Sequence, residues 1–341
     1  MTRKNIQKKA LKIILTIICC LLIINIFTRF VLRKYYRTTA RHFASLEYIK
    51  KVKTQTHIDY LIVGDSTGMH SVNPKFISND TYSVCISGAS LLDTYRLLSE
   101  FDLSRIKKGI ILTNSFNSEL HYGEDFWRRF ILTNSYSLIE LVEIYNESKT
   151  RNIFPANQFS AGEFYSISIA TKLLLNKYAF EALSEYLRSF KWNKNYFHKY
   201  LSFFNENNGY VTLEDPGSGF ELKDEDFFHP YSDFYNKNFL IDQTDFYYLN
   251  KIYQLTSRAN LWLIMPFLPL ADQASRVNLS AFKNSFKSYF SHYELLHPYY
   301  LFTPIKIELN RSEFFDFNHV NSKGAIKTTK ALLNTLNTHK F

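Results

Sequence analysis

Two short stretches of this chain carry residue types that can do chemistry together: Gly64-Asp65-Ser66 near the beginning and Asp316-Phe317-Asn318-His319 near the end. A serine hydroxyl is a poor nucleophile at neutral pH. It needs a positioned imidazole to take its proton and a carboxylate to hold that imidazole in the right tautomer. An Asp-x-x-His element supplies both partners from one turn of backbone, so the two stretches read as the halves of a serine-nucleophile site. Patterns of three or four residues recur by chance in a chain of 341, and it is their order and setting that give them weight.

Elements able to position these residues are visible around them. Residues 58–63 form a mostly apolar run that ends at Gly64-Asp65-Ser66. Residues 84–86 end at Ser87-Gly88, after which Leu91, Leu92, Tyr95, Leu97, Leu98 and Phe101 recur at helical spacing. A third short strand, 110–112, is followed by Asn114 and Asn117, a fourth, 261–265, ends at Pro266, and a helix over 322–336 follows His319. Strands alternating with helices predict an α/β fold, a parallel sheet with both faces covered. Ligands of such sheets bind beyond the carboxyl ends of the strands. Ser66, Gly88, Asn114 or Asn117, and the Asp316/His319 pair all follow strand ends or open a helix, so they are placed to converge on one rim. Residues from about 121 to 244 break the alternation and read as a mainly helical insertion. With 31 Phe and 24 Tyr against 10 Gly, the chain is expected to build a packed core rather than long disordered linkers.

The first 45 residues stand apart. Residues 13–27 are apolar except for Thr16 and Asn25, and Arg29, Arg33, Lys34, Arg37 and Arg41 follow them where a cleavage site would be needed for a signal peptide. A single-pass transmembrane anchor is the expectation, with a buried hairpin helix as the alternative. Arg3, Lys4, Lys8, Lys9 and Lys12 match the five basic residues on the other side, so charge alone sets no orientation. Much of the net charge of +10 lies in these flanks, which suits anionic lipid headgroups; no nucleic-acid module is visible. Beyond this run only Cys85 remains, in an apolar stretch where an inert buried thiol is expected.

Four elements in this order resemble the SGNH/GDSL hydrolase superfamily. They most resemble its membrane-anchored branch of alginate-type O-acetylation proteins and teichoic-acid D-alanine transfer proteins. The resemblance rests on Leu61-Ile62-Val63-Gly64-Asp65-Ser66 with Asn73-Pro74, on Ile86-Ser87-Gly88-Ala89-Ser90, on Leu263-Ile264-Met265-Pro266, and on Asp316-Phe317-Asn318-His319 with Gly324. It implies a flavodoxin-like parallel sheet sandwiched by helices over residues 46–341, with the insertion at about 121–244. It further implies Ser66 as nucleophile, His319 as general base and then acid, and Asp316 as the group orienting His319. The oxyanion would be met by the backbone N–H groups of Ser66 and Gly88 and by a side-chain amide. The family favours Gly-x-Asn-Asp at that third position, where this chain has Thr113-Asn114-Ser115-Phe116-Asn117, and both Asn114 and Asn117 stay open.

On this resemblance the expected protein is a cell-envelope serine O-acyltransferase modifying a polysaccharide, held in the cell membrane with its catalytic domain extracytoplasmic. Its partners would be the polysaccharide acceptor and a polytopic membrane-bound O-acyltransferase. A carbohydrate O-acetylesterase and a non-catalytic glycan-binding or assembly subunit are the alternatives. No metal or organic cofactor is implied. Blander readings accompany each residue. Asp65 or Ser66, and Asn321 or Ser322, suit helix caps. Asp224-Glu225-Asp226 with His229 reads as a solvated acidic loop rather than a metal site. His70 lacks a carboxylate partner at a useful spacing and reads as a surface or supporting residue.

Overall fold

The computed structural model describes residues 3–30, 37–116, 136–173, 196–213, 237–270, 279–305, 307–316 and 318–339. The chain divides into two compact units, Met1–Ala44 with Tyr122–Tyr200, and Ser45–His121 with Leu201–Phe341. The expected insertion is thus split between units at residue 200, its last part grouping with the sheet.

The first unit contains helix α1 (Arg3–Phe30) and the start of α2 (Arg37–Val52). Among the described residues no helix is long and apolar enough to cross a membrane, so the expected transmembrane anchor finds no support. The uncharged stretch 13–27 shows why: fifteen residues rise roughly 22 Å at about 1.5 Å each, against a hydrocarbon core of about 30 Å. What α1 does present is a set of exposed aliphatic side chains, Ile13, Ile14, Ile17, Ile23 and Ile26 among them.

The second unit holds the sheet, built from β1 (Ile58–Gly64), β2 (Tyr82–Ser83), β3 (Ile106–Thr113), β4 (Trp262–Phe267) and β5 (Tyr300–Pro304). All neighbours pair in parallel, in the order β2-β1-β3-β4-β5. Strands buried on both faces read as continuous apolar runs, and Leu61, Ile62, Val63, Ile110, Ile111, Leu112, Leu263 and Ile264 are fully buried. The regular part of β2 lies two residues earlier than the expected 84–86. That stretch still follows β1, because the N–H groups of Val84 and Ile86 donate to Ile62 O and Gly64 O at 2.8 and 2.9 Å. Pro266 falls inside β4, where a missing N–H would break an interior ladder. It sits beyond Ile264, the last β4 residue paired with β3, and only β5 continues alongside it.

Helices flank the sheet. In chain order after α2 they are α3 (Ser66–Ser71), α4 (Leu91–Ser99), α5 (Leu138–Arg151), α6 (Ala161–Leu173), α7 (Tyr196–Glu206), α8 (Gln243–Arg258), α9 (Leu279–Leu296) and α10 (Ser322–Thr338). In the sheet unit, α8 packs on α4 and β4, α9 on β5, and α10 on α3. The i, i+4 spacing of Phe282, Phe286 and Phe290 puts all three rings on one face of α9. There they join Phe116, Phe239 and Phe302 in a single aromatic cluster, with neighbouring centroids such as Phe286 and Phe290 4.5 Å apart.

Candidate active site

Ser66 stands where β1 turns into α3. Gly64 makes the turn possible with φ +142°, a conformation that essentially only glycine adopts. Asp65 then caps α3: one carboxylate oxygen accepts from Thr67 N–H at 2.8 Å, and the other accepts from the backbone N–H of Ser115 at 2.7 Å and from its hydroxyl. The capping role is therefore real, and the same carboxylate ties the turn to the end of β3. Thr113 completes the joint by donating from Oγ1 to Val63 O at 2.9 Å. A Cβ on Gly68 would lie 1.8 Å from Thr113 Oγ1, so α3 approaches β3 this closely because residue 68 has no side chain. The Gly-x-x-x-Gly spacing of 64 and 68 was the available signal for that contact.

His319 and Asp316 come from one tight turn between Phe314 and Val320, which form an antiparallel bridge. The N–H groups of Phe315 and Asp316 donate to His319 O at 2.8 and 3.3 Å. Asp316 Oδ1 accepts from the N–H of His319 at 2.8 Å and of Asn318 at 3.1 Å. His319 Nδ1 lies 2.8 Å from Asp316 Oδ2, and its Nε2 lies 2.9 Å from Ser66 Oγ. A carboxylate only accepts, so Nδ1 carries a proton and Nε2 is free to take one from the serine hydroxyl. Burial alone would raise the Asp316 carboxyl. The hydrogen bond from His319, its charge, and the two backbone N–H groups outweigh burial and hold the carboxyl below its usual range. Asn321 caps α10 directly behind the turn, accepting from Lys323 and Gly324 N–H.

The remaining expected residues fall as follows. Gly88 lies in the turn beyond residue 86 with φ +74°. Asn114 is 9% exposed; its Nδ2 donates to Ala89 O at 2.9 Å and its Oδ1 accepts from Thr94 Oγ1 at 3.0 Å. Asn114 thereby joins the end of β3 to the Gly88 turn and keeps one further Nδ2 proton. Asn117 lies outside the described residues, as do Asp224, Glu225, Asp226 and His229. Among the described residues no group of three or more His, Cys, Asp or Glu side chains could hold a metal ion.

His70 is not the surface residue expected of it. It is 2% exposed, its Nδ1 lies 2.6 Å from Val211 O, and its ring packs against His319. Its spacing of four from Ser66, one helical turn, was the overlooked signal. Thr67, Asn114, Ser115 and Asn318 share the wall of a cavity with apolar residues from the ends of β3 and β4. All of this lies at the carboxyl ends of β1 and β3, the point where the strand order reverses and where such sheets bind ligands.

Fold and site together define a parallel α/β protein with a Ser–His–Asp arrangement at the carboxyl edge of its sheet. No protein-family model matches the chain, and no curated protein matches it. Among solved structures, a Streptococcus pneumonia protein provisionally described as a platelet activating factor is 11% identical, with a TM-score of 0.36. That alignment covers 89% of this chain and 96% of the other.

Proposed function

We propose that this chain is a serine-dependent enzyme of O-acyl esters, of the SGNH type that its motifs resemble. The observation that carries the reading is the unbroken line of contacts from Asp316 through His319 to Ser66 Oγ. In this scheme His319 Nε2 takes the hydroxyl proton as Oγ bonds to the ester carbonyl carbon. The oxyanion is met by the N–H groups of Ser66 and Gly88 and by the remaining Nδ2 proton of Asn114. Donors fixed in advance are effective here, since losing one typically costs about 10²–10³ in rate. Collapse expels the alcohol, which takes the proton from His319, and leaves an acyl-enzyme on Ser66. A second hydroxyl compound or water then takes the acyl group by the reverse path.

The resemblance supports transfer to a polysaccharide hydroxyl in the cell envelope, alongside a polytopic membrane-bound O-acyltransferase. The exposed aliphatic residues of α1 and the basic residues around them support a membrane-associated setting. Hydrolysis of the same ester is the alternative outcome, decided by whether the site excludes water. The test is stoichiometric labelling of the full chain with a fluorophosphonate, abolished in Ser66→Ala and in His319→Ala. A folded wild-type chain that takes no label would point instead to a glycan-binding or assembly subunit.

A further inference from the structure

The cavity beside Ser66 has a composition that ester cleavage alone does not require. Its far walls are hydrocarbon: Phe116 beyond β3, Pro266, Phe267 and Leu268 on β4 and just past it, and Phe286 on α9. Its near wall is formed by Thr67 and Asn318, the immediate chain neighbours of Ser66 and His319. Thr67 is 6% exposed, and its Oγ1 has no hydrogen-bond partner among the described residues. A buried hydroxyl in that state is costly unless a ligand supplies the partner.

These walls distinguish the two halves of a sugar ester. A sugar placed against them would lose water from each hydroxyl without replacement, whereas a methylene chain gains by burial. The cavity volume is about 50 Å³. On a scale where one water needs about 10–15 Å³, that is room for roughly three or four carbon atoms.

We propose, on the footing of the serine-ester reading above, that this cavity is the acyl pocket and that the donor carries a short apolar chain rather than acetyl. Counting the carbonyl carbon held at Ser66, the chain has about four or five carbons. The Thr67 hydroxyl provides a donor for a substrate oxygen at the neck of the pocket. Acetyl would leave the pocket empty, and a long fatty chain would overrun it.

The experiment measures 4-nitrophenol release by the full chain from the acetyl, butyryl, valeryl, octanoyl and decanoyl esters. This step acylates Ser66 and is common to hydrolysis and transfer. The expected result is a kcat/KM that rises about fourfold per methylene from acetyl to valeryl and falls at octanoyl and beyond. In Phe267→Ala, which truncates a half-buried wall residue, the preferred chain becomes longer. A flat series, a preference for acetyl, no turnover of any ester, or an unmoved optimum in Phe267→Ala would overturn the pocket. Fluorophosphonate labelling of Ser66 in the same preparations separates the two failures. Label with any of those results removes the pocket alone; absence of label removes the serine chemistry and the pocket with it.

Discussion

The rings of His70 and His319 meet edge to face, with 5.4 Å between centroids and 81° between planes. A carbonyl oxygen only accepts, so the 2.6 Å approach of His70 Nδ1 to Val211 O places a proton on Nδ1 and fixes the ring. The imidazole facing Ser66 is thus braced from behind. His70→Ala should slow acylation of Ser66 by about tenfold to a hundredfold, the scale on which small misplacements act. His70→Phe keeps a ring and should retain most of the rate. It should still lose roughly 1–3 kcal/mol of stability, because the buried Val211 carbonyl loses its donor. Acylation rates and thermal melts of both variants check this, and an alanine variant as fast as wild type would remove the bracing role.

Asp316 orients His319 through Nδ1, so its removal should reach the serine without touching it. Asp316→Asn should lower acylation by about 10³–10⁴-fold, since the amide favours the wrong imidazole tautomer. The variant should remain folded by circular dichroism, which separates lost orientation from lost structure.

The same carboxylate predicts a pH effect on stability. Asp316 sits below its unperturbed value of 3.8 in the folded chain. A carboxyl lowered on folding contributes stability that is fully present above its unfolded value and is lost as the pH falls through the folded one. The melting-temperature gap between wild type and Asp316→Asn should therefore narrow as the pH is taken from about 5 to about 2. A gap constant across that window would mean the carboxylate's contacts do not favour its charged form.

Gly68 should tolerate no side chain. With a Cβ 1.8 Å from Thr113 Oγ1 and 2.5 Å from Thr113 Cβ, Gly68→Ala should destabilise by about 1–3 kcal/mol or more. Combining it with Thr113→Ala should recover part of that loss, although Thr113→Ala has a cost of its own through Val63 O. Denaturant unfolding of the four proteins gives the coupling. Additive effects would place the clash elsewhere.

Cys85 should resist alkylation in the native chain. Burial pushes its thiol up to about 12, and hydrogen bonds with Ser83 and Thr113 offset only part of the rise. Mass spectrometry after iodoacetamide treatment at about pH 8 should find Cys85 modified only once the chain is unfolded. Native modification would mean that the strand end opens.

The residues with chemistry were legible because each followed a local signal: a strand end before Ser66, a turn at Gly88, and Asp-x-x-His before a cappable helix. The parallel sheet followed from alternating apolar runs, and its four interior-facing segments were near their observed places. β5 went unread because Tyr300–Pro304 is short and follows another aromatic-rich helix, so no change of period marks it. The bracing of His319 by His70 was illegible for a different reason. It depends on Val211, 141 positions further along, and no local pattern announces a contact at that separation. Thr113 was similarly hidden, since its fit between Gly64 and Gly68 is a property of strand register. The expected anchor rested on composition alone, which counts apolar residues without asking whether their uninterrupted length suffices.

The turn that holds both Asp316 and His319 has one more consequence, and it concerns time rather than geometry. Two of the three groups are joined within four residues, so only one distance, Nε2 to Oγ across 253 positions, must be met from afar. A ribosome that has made the sheet's first three strands has already made the serine, yet no base exists to pair with it. The nascent chain therefore carries an unarmed hydroxyl through most of its synthesis. Reactivity arrives in a single late event, when residue 319 emerges and the turn closes over Ser66.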